Sequence, residues 1–341
     1  EYAMKYLGLQ REQFQTLGVL GDWYKPYTTF SPQYEEGVIE VFRLMFEKGY
    51  IVRALKPIHW CMSCETALAE AELEYGDEPS PSIHVLFPNA QGLAEAFEVE
   101  LDAPGFVFIW TTTPWTLPAN VAVAVNPVEK YALVRFSTEK LGKGYTFLGE
   151  SLIEQVKAAT KFESFEVVAV TSGASLEGVR YDHPFMGREG RVITADFVTM
   201  TDGTGIVHIA PGHGVEDYQA GLTNGLPVLS PVDAQGRFTA DVPLWQGANV
   251  HEADPRIKAF LDDKGLLMGS VTIAHSYPHC WRCKSPVIFR ATPQWFVRVD
   301  HEDLRERMLK AIEETRWVPG WGHDRIARSE EHTSELQSRQ S

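Results

Sequence analysis

All four cysteines of this 341-residue chain fall in two C-x-x-C pairs, Cys61/Cys64 and Cys280/Cys283, and 216 positions separate Cys64 from Cys280. Two thiolate pairs at this spacing match a closed tetrahedral zinc site, with no cysteine left over. A compact zinc ribbon places its pairs only about 20 residues apart. One ion held by both of these pairs would pin two distant points of the chain together, so that the intervening chain leaves and returns through one root. The same residues could be buried unpaired thiols or two redox pairs, but two like motifs with none left over favour a structural Zn2+.

A chain this long exceeds one ordinary core and predicts two domains, or one inserted in another. Hydrophobic content of 44% and charged content of 23% are those of a soluble globular protein. With 31 basic against 46 acidic residues the formal charge is -15, so local basic patches, not the overall field, must hold any nucleic-acid partner. No run of about 18 apolar residues exists, and no basic segment precedes an apolar one near the start. These features predict a cytoplasmic protein that does not enter a membrane. The chain begins at Glu1 without Met and closes on a polar run from Arg328 to Ser341, so both ends are expected to be cut. That closing run reads as a short-read library adapter translated in frame, and residues 328–341 are therefore expected to be an artefact.

Along the chain, Ser31 and Pro32 read as N-cap and first residue of a helix with Val38, Ile39, Phe42, Met45 and Phe46 on one face and Gly49 past its end. That face is expected to be core. Ala69, Ala71, Leu73 and Tyr75 alternate with glutamates as in a half-exposed strand. Two prolines in Gly76 to Pro81 then predict a break that is neither strand nor helix, and a domain boundary. From Ser82 to about Ala274 the pattern predicts strands at 83–87, 106–112, 121–125, 131–136, 165–172, 191–195 and 206–209. Short helices are predicted at 152–159, 216–224 and 256–264, the last started by Asp254-Pro255. Many short strands suggest a mainly β, barrel-like module. After it come the second cysteine pair, the stretches Val287 to Arg290 and Gln294 to Val299, and a helix with Leu304, Met308 and Ile312 on one face.

Two segments carry chemistry. The first is Ile-Trp-Thr-Thr-Thr-Pro-Trp-Thr-Leu-Pro-Ala-Asn, residues 109–120, where three threonines are locked between an apolar strand and two prolines. The second runs from Asp202 to Tyr218. Its glycines allow close backbone approach, and His208, His213, Glu216 and Asp217 offer polar groups at a strand end and a helix start. Plainer readings exist for each part. Thr hydroxyls often satisfy local backbone, a carboxylate can complement a helix dipole, and a lone His is more often structural.

Taken together, Trp110 to Asn120 and Gly203-Thr-Gly-Ile-Val-His-Ile-Ala-Pro-Gly-His-Gly-Val-Glu-Asp-Tyr218 resemble the editing domain of isoleucyl-tRNA synthetases. The flanks agree, in Gly18 to Trp23, Lys56 to Cys61, Ala67 to Glu72, and Pro278 to Cys283 through Arg290 to Phe296, so that the likeness spans Glu1 to about Ile326. Valyl and leucyl relatives carry Thr-Thr-Arg-Pro where this chain has Thr112-Thr113-Pro114 preceded by a third Thr, which favours the isoleucine type.

The resemblance implies an α/β protein: part of a class I Rossmann-type catalytic domain interrupted by a mainly β editing domain with short helices. It implies catalytic-domain residues and a first zinc knuckle at 1–78, the editing insertion at 79–274, and a second knuckle with return to the catalytic domain at 275–327. The HIGH and KMSKS motifs lie outside the chain, so ATP and Mg2+ belong to the full-length enzyme and this part is not expected to aminoacylate. Valine differs from isoleucine by one methylene, worth about 1–3 kcal/mol in an apolar pocket, a figure established on this very pair. A second site must therefore hydrolyse the smaller product.

By the same resemblance, Asp217 binds the aminoacyl ammonium, His208 forms the wall limiting side-chain size, and Thr111, Thr112 and Thr113 hold terminal adenosine, carbonyl or water. Trp110, Asn120, Gly212 and His213 complete the substrate-binding surface, His213 and Glu216 more as supports than as reacting groups. None is a strong base, so an ordered water and a neighbouring ribose hydroxyl are expected to carry attack and proton transfer. The implied partners are tRNA(Ile), isoleucine and valine, and the parent is expected to be monomeric. Two other readings stay open: a valyl- or leucyl-type editing domain, and a catalytically silent zinc-stapled tRNA-binding module.

Overall fold

The computed structural model describes residues 1–327; the adapter-like run at 328–341 lies outside the described residues. The strands are β1 (Ile51–Cys61), β2 (Thr66–Leu68), β3 (Leu73–Phe87), β4 (Val107–Thr111), β5 (Ala122–Val125), β6 (Lys130–Thr138) and β7 (Gly142–Gly149). They continue as β8 (Ser164–Ser172), β9 (Arg180–Asp182), β10 (Glu189–Thr194), β11 (Val207–Ile209), β12 (Leu267–Cys280) and β13 (Ile288–Val297). The helices are α1 (Tyr2–Thr16), α2 (Pro32–Glu47), α3 (Leu93–Phe97), α4 (Ile153–Ala159), α5 (Val215–Thr223), α6 (Val250–Asp263) and α7 (Leu304–Glu314). No described helix is long and apolar enough to cross a membrane.

The chain divides into two compact units at Arg53/Ala54 and at Gln294/Trp295. In the outer unit, α2 starts where the sequence predicts, with Ser31 accepting a hydrogen bond from the Tyr34 N–H. Its apolar face is not core. None of its residues is buried, and Phe42 and Phe46 make edge-to-face contacts with Trp295. A helix with one apolar stripe is buried only if a partner layer covers that stripe. Within this unit, Arg298 donates to the Gly49 carbonyl and the Tyr50 O–H to Glu302.

The inner unit holds the main core. Its largest sheet has the order β12-β3-β4-β11-β5-β10-β9, and a second three-stranded sheet has the order β7-β6-β8. Phe87, Phe108, Ile109, Leu117, Leu133 and Phe147 are fully buried in one cluster. Neither sheet closes on itself, which corrects the barrel-like expectation to open sheets.

The predicted break at Gly76 to Pro81 is also corrected. β3 runs straight through it, with Pro79 opposite Ala274 and Pro81 opposite Thr272 of β12. The second neighbour, β4, joins only from Ile83 onward. Proline has no N–H to give, so it is tolerated where a strand has a neighbour on one side only. The third helix start is displaced as well. Asn249, not Asp254, caps α6 by accepting from the His251 N–H, which leaves Pro255 inside the helix.

Candidate functional site

β4 ends at Thr111, and the chain turns through a 3-10 helix, Pro114–Ala119, all six residues of which are buried. Prolines at 114 and 118 fix φ twice within this turn. Sheet pairing sets Trp110 opposite Val207 of β11, so the residue after it, His208, reaches the threonine turn. His208 Nε2 lies 3.0 Å from Thr116 Oγ1, and the Thr116 hydroxyl donates to the Thr113 carbonyl at 2.8 Å. With that proton spent, His208 must be the donor from Nε2, and its Nδ1 is left a buried acceptor that makes no hydrogen bond. Burial holds the imidazole down at about 4, so it is neutral at pH 7. Thr111 Oγ1 accepts from the Thr113 N–H at 3.1 Å and lies 3.3 Å from Thr113 Oγ1. The hydroxyls of Thr111, Thr113 and Thr116 and the His208 ring thus form one connected chain.

Asp217 sits in the first turn of α5 and folds back toward the strand end, its Oδ2 accepting from the Ala210 N–H at 2.8 Å. Burial pushes this carboxyl up to about 7, opposed by the Ala210 N–H and assisted by the nearby Glu216 charge. Between these elements Gly212 packs so tightly that a Cβ there would fall 2.0 Å from the Leu229 carbonyl oxygen. His213 donates from Nδ1 to the Phe289 carbonyl at 2.9 Å and meets Trp115 edge-on at 4.9 Å. Burial keeps it neutral, at about 4.

A cleft of about 540 Å3 opens beside the threonine turn. Thr112, Thr113 and Trp115 form one part of its lining, α6 contributes His251, Asp254 and Lys258, and the β3–β12 ladder contributes Ser80 and Tyr277. Thr112 and Thr113 therefore reach the cleft directly. Thr111 and His208 connect to it through hydroxyls, and Asp217 and Gly212 are not among its lining residues. Trp110 donates from Nε1 to Ser82 at 2.8 Å and covers Gly203, while Asn120 spends its side chain on the Tyr181 hydroxyl and the Ala122 carbonyl, both at 2.7 Å. These two hold the turn in place.

Four further residues, Thr116, His183, Arg188 and Asp254, bear on the turn or the cleft without having been assigned a role there. His183 Nε2 donates to the Leu117 carbonyl at 2.7 Å, while its Nδ1 accepts from the Phe185 and Met186 N–H groups. Arg188 donates to the carbonyls of Asn120 and Pro118. Thr116 lay inside the hydroxyl-rich stretch and could have been found there. Asp254 was hidden by its reading as a helix start, and His183 and Arg188 come from a distant loop with no signal of their own.

At the root of the inner unit, Cys61, Cys64, Cys280 and Cys283 bring their sulfurs within 4.8 Å of one another. Cys61 and Cys283 are 3.4 Å apart. A tetrahedron with zinc–sulfur bonds of about 2.3 Å has sulfurs about 3.8 Å apart, so the donor set fits such an ion. Cys61 and Cys280 are buried and the other two exposed.

The family model described as tRNA synthetases class I (I, L, M and V) matches residues 1–340. The isoleucine–tRNA ligase of Carboxydothermus hydrogenoformans is 51% identical over 326 residues, covering 96% of this chain and 34% of the relative. That of Kosmotoga olearia is 50% identical over 327 residues, with the same two shares. The chain thus spans about a third of the length of the curated relatives it matches. Among solved structures, the P. knowlesi cytosolic leucyl-tRNA synthetase editing domain aligns with a TM-score of 0.42 at 10% identity, over 59% of this chain and 98% of that one.

Proposed function

Since the chain belongs to the class I tRNA synthetases of the isoleucine, leucine, methionine and valine group, we propose that it is the editing part of an isoleucine–tRNA ligase, hydrolysing valine mischarged on tRNA(Ile). The observation that carries this reading is the linked chain of Thr111, Thr113, Thr116 and His208 beside a cleft that Thr112 and Thr113 enter. A hydrolytic site for an aminoacyl ester can work with positioned hydroxyl and backbone donors for the carbonyl oxygen, a carboxylate for the ammonium and an ordered water as nucleophile. His208 is neutral and cannot act as a cation. It backs the pocket wall through the Thr116 and Thr113 hydroxyls, with a buried Nδ1 that makes no hydrogen bond. Asp217 binds the ammonium in its ionised form.

In the complete enzyme, ATP and Mg2+ serve synthesis at sites outside this chain, and the partners are tRNA(Ile), isoleucine and valine in a cytoplasmic, monomeric protein. The four cysteines hold one structural Zn2+. The insertion bounded near residues 79 and 274 carries the editing site, with a zinc knuckle on either side.

Hydrolysis tests the reading. The chain should deacylate Val-tRNA(Ile) and spare Ile-tRNA(Ile), and Asp217→Ala should lower the rate by at least about 100-fold, as expected on losing a charge-assisted contact. Equal rates for parent and variant would remove Asp217 from the site, and no hydrolysis by the parent, with tRNA binding intact, would leave only the silent zinc-stapled module. Hydrolysis of Thr-tRNA(Val) or Ile-tRNA(Leu) in preference would move the assignment to the valine or leucine type.

A further inference from the structure

Asp254 stands in the lining of the same cleft as Thr112 and Thr113. The backbone N–H of Trp115, within the threonine turn, faces its carboxylate. Its Oδ1 is buried and makes no hydrogen bond. An acceptor of this kind costs stability wherever no donor meets it, and such atoms in a ligand cleft are the ones a ligand's donor can satisfy. One turn further along α6, Lys258 lines the cleft too and acts on the Asp254 charge. The lining residues therefore pair an acceptor without a hydrogen bond with a cation, beside Trp115 and Tyr277.

The end of an aminoacyl-tRNA offers four kinds of group: an ammonium, the ribose hydroxyl beside the ester, a base and a phosphate. Lys258 would repel the ammonium and attract the phosphate. Burial pushes the Asp254 carboxyl up to about 7, so acid and carboxylate coexist at neutrality. A hydroxyl can hydrogen-bond to either form, and what disfavours an ammonium here is the Lys258 charge, whereas the charge acting on Asp217 is that of the acidic Glu216.

We propose that Asp254 is a substrate-binding residue of the threonine cleft whose Oδ1 accepts a hydrogen bond from the free ribose hydroxyl next to the ester. This rests on the cleft receiving the aminoacyl end of a tRNA. It gives a role to α6 in a cleft whose other lining comes chiefly from the threonine turn and the β3–β12 ladder. The role is recognition of the sugar.

Two stable probes test it by calorimetric titration of the full chain: 3′-valylamido-3′-deoxyadenosine and the same compound lacking the 2′-hydroxyl. The parent should bind the hydroxylated probe about tenfold or more tighter, the value of one hydrogen bond to a charged group. Asp254→Ala should bind both probes equally. The ratio between probes is read, so any general loosening of the turn on losing the Trp115 contact affects both alike and cancels. A parent that binds neither probe or does not distinguish them, or an Ala variant that keeps the preference, overturns the assignment. A chain that hydrolyses Val-tRNA(Ile) without a hydroxyl preference sinks Asp254 alone. Hydroxyl-dependent binding without any hydrolysis sinks the editing reading alone.

Discussion

Asp217 shows how burial sets the working range of a single side chain. Its carboxyl, pushed up to about 7 by burial, ionises as pH rises through neutrality. In its proposed role only the ionised form would pair with the aminoacyl ammonium, so KM for a valyl ester should climb as pH falls from about 8 to 6. Asp217→Asn should give a high KM that varies little over that range, and steady-state deacylation at a series of pH values checks both. Stability runs the other way. The folded pKa lies above the unfolded one, so between about 4 and 7 the unfolded chain sheds a proton that the folded chain keeps, and the folded state loses stability as pH rises through that window. At this scale the sequence was informative where a residue's type is unusual for its place. Thr112 and Thr113 stood out as hydroxyls at a strand end, and both line the cleft. Asn120 was equally conspicuous, but its partners, the Tyr181 hydroxyl and the Ala122 carbonyl, could not be read from its neighbours.

The threonine turn and β11 meet through one hydroxyl, that of Thr116, which gives its proton to the Thr113 carbonyl and accepts from His208 Nε2. Thr116→Val keeps shape and volume yet leaves both partners without this bond, at a cost of about 1–3 kcal/mol in stability. It should also lower kcat more than it raises KM, because His208 and Thr113 lose their mutual register while the cleft lining stays. Urea unfolding followed alongside deacylation measures the two effects, and an unchanged midpoint would show that the contact contributes nothing. Elements were legible from the sequence where a local signal decides them, as in α2 with Ser31 at its cap. They were not legible where pairing decides. Pro79 and Pro81 predict a break, and only the one-sided pairing of β3 with β12 at that point explains why the strand continues. The start of α6 was misplaced for a related reason: Asp-Pro is a start signal, but Asn249 offers a cap one turn earlier.

At the scale of the whole molecule, the cysteine pairs bring together two points of the chain more than 200 residues apart. They lie inside the inner unit, where the turn after β1 meets the end of β12, the strand that pairs with β3 along Leu73 to Val85. The same ladder supplies Ser80 and Tyr277 to the cleft. One ion bound by the four sulfurs would close a chain loop of more than 200 residues between Cys64 and Cys280. Closing a loop of that size before folding removes chain entropy worth about 5 kcal/mol if the cross-link behaves as a disulfide does. Metal analysis should find one zinc per chain. Stripping it with a chelator at pH 7 should lower the unfolding midpoint by several degrees and loosen β12 against β3 near Cys280, read as faster amide exchange at residues 73–78 and 275–280. β4, β5 and β11, held by their own neighbours in the sheet, should exchange at their former rates. If the metal-free protein instead kept both its midpoint and its exchange pattern, the thiols would be packing groups, and the frame of the threonine cleft would rest on the β3–β12 hydrogen bonds alone.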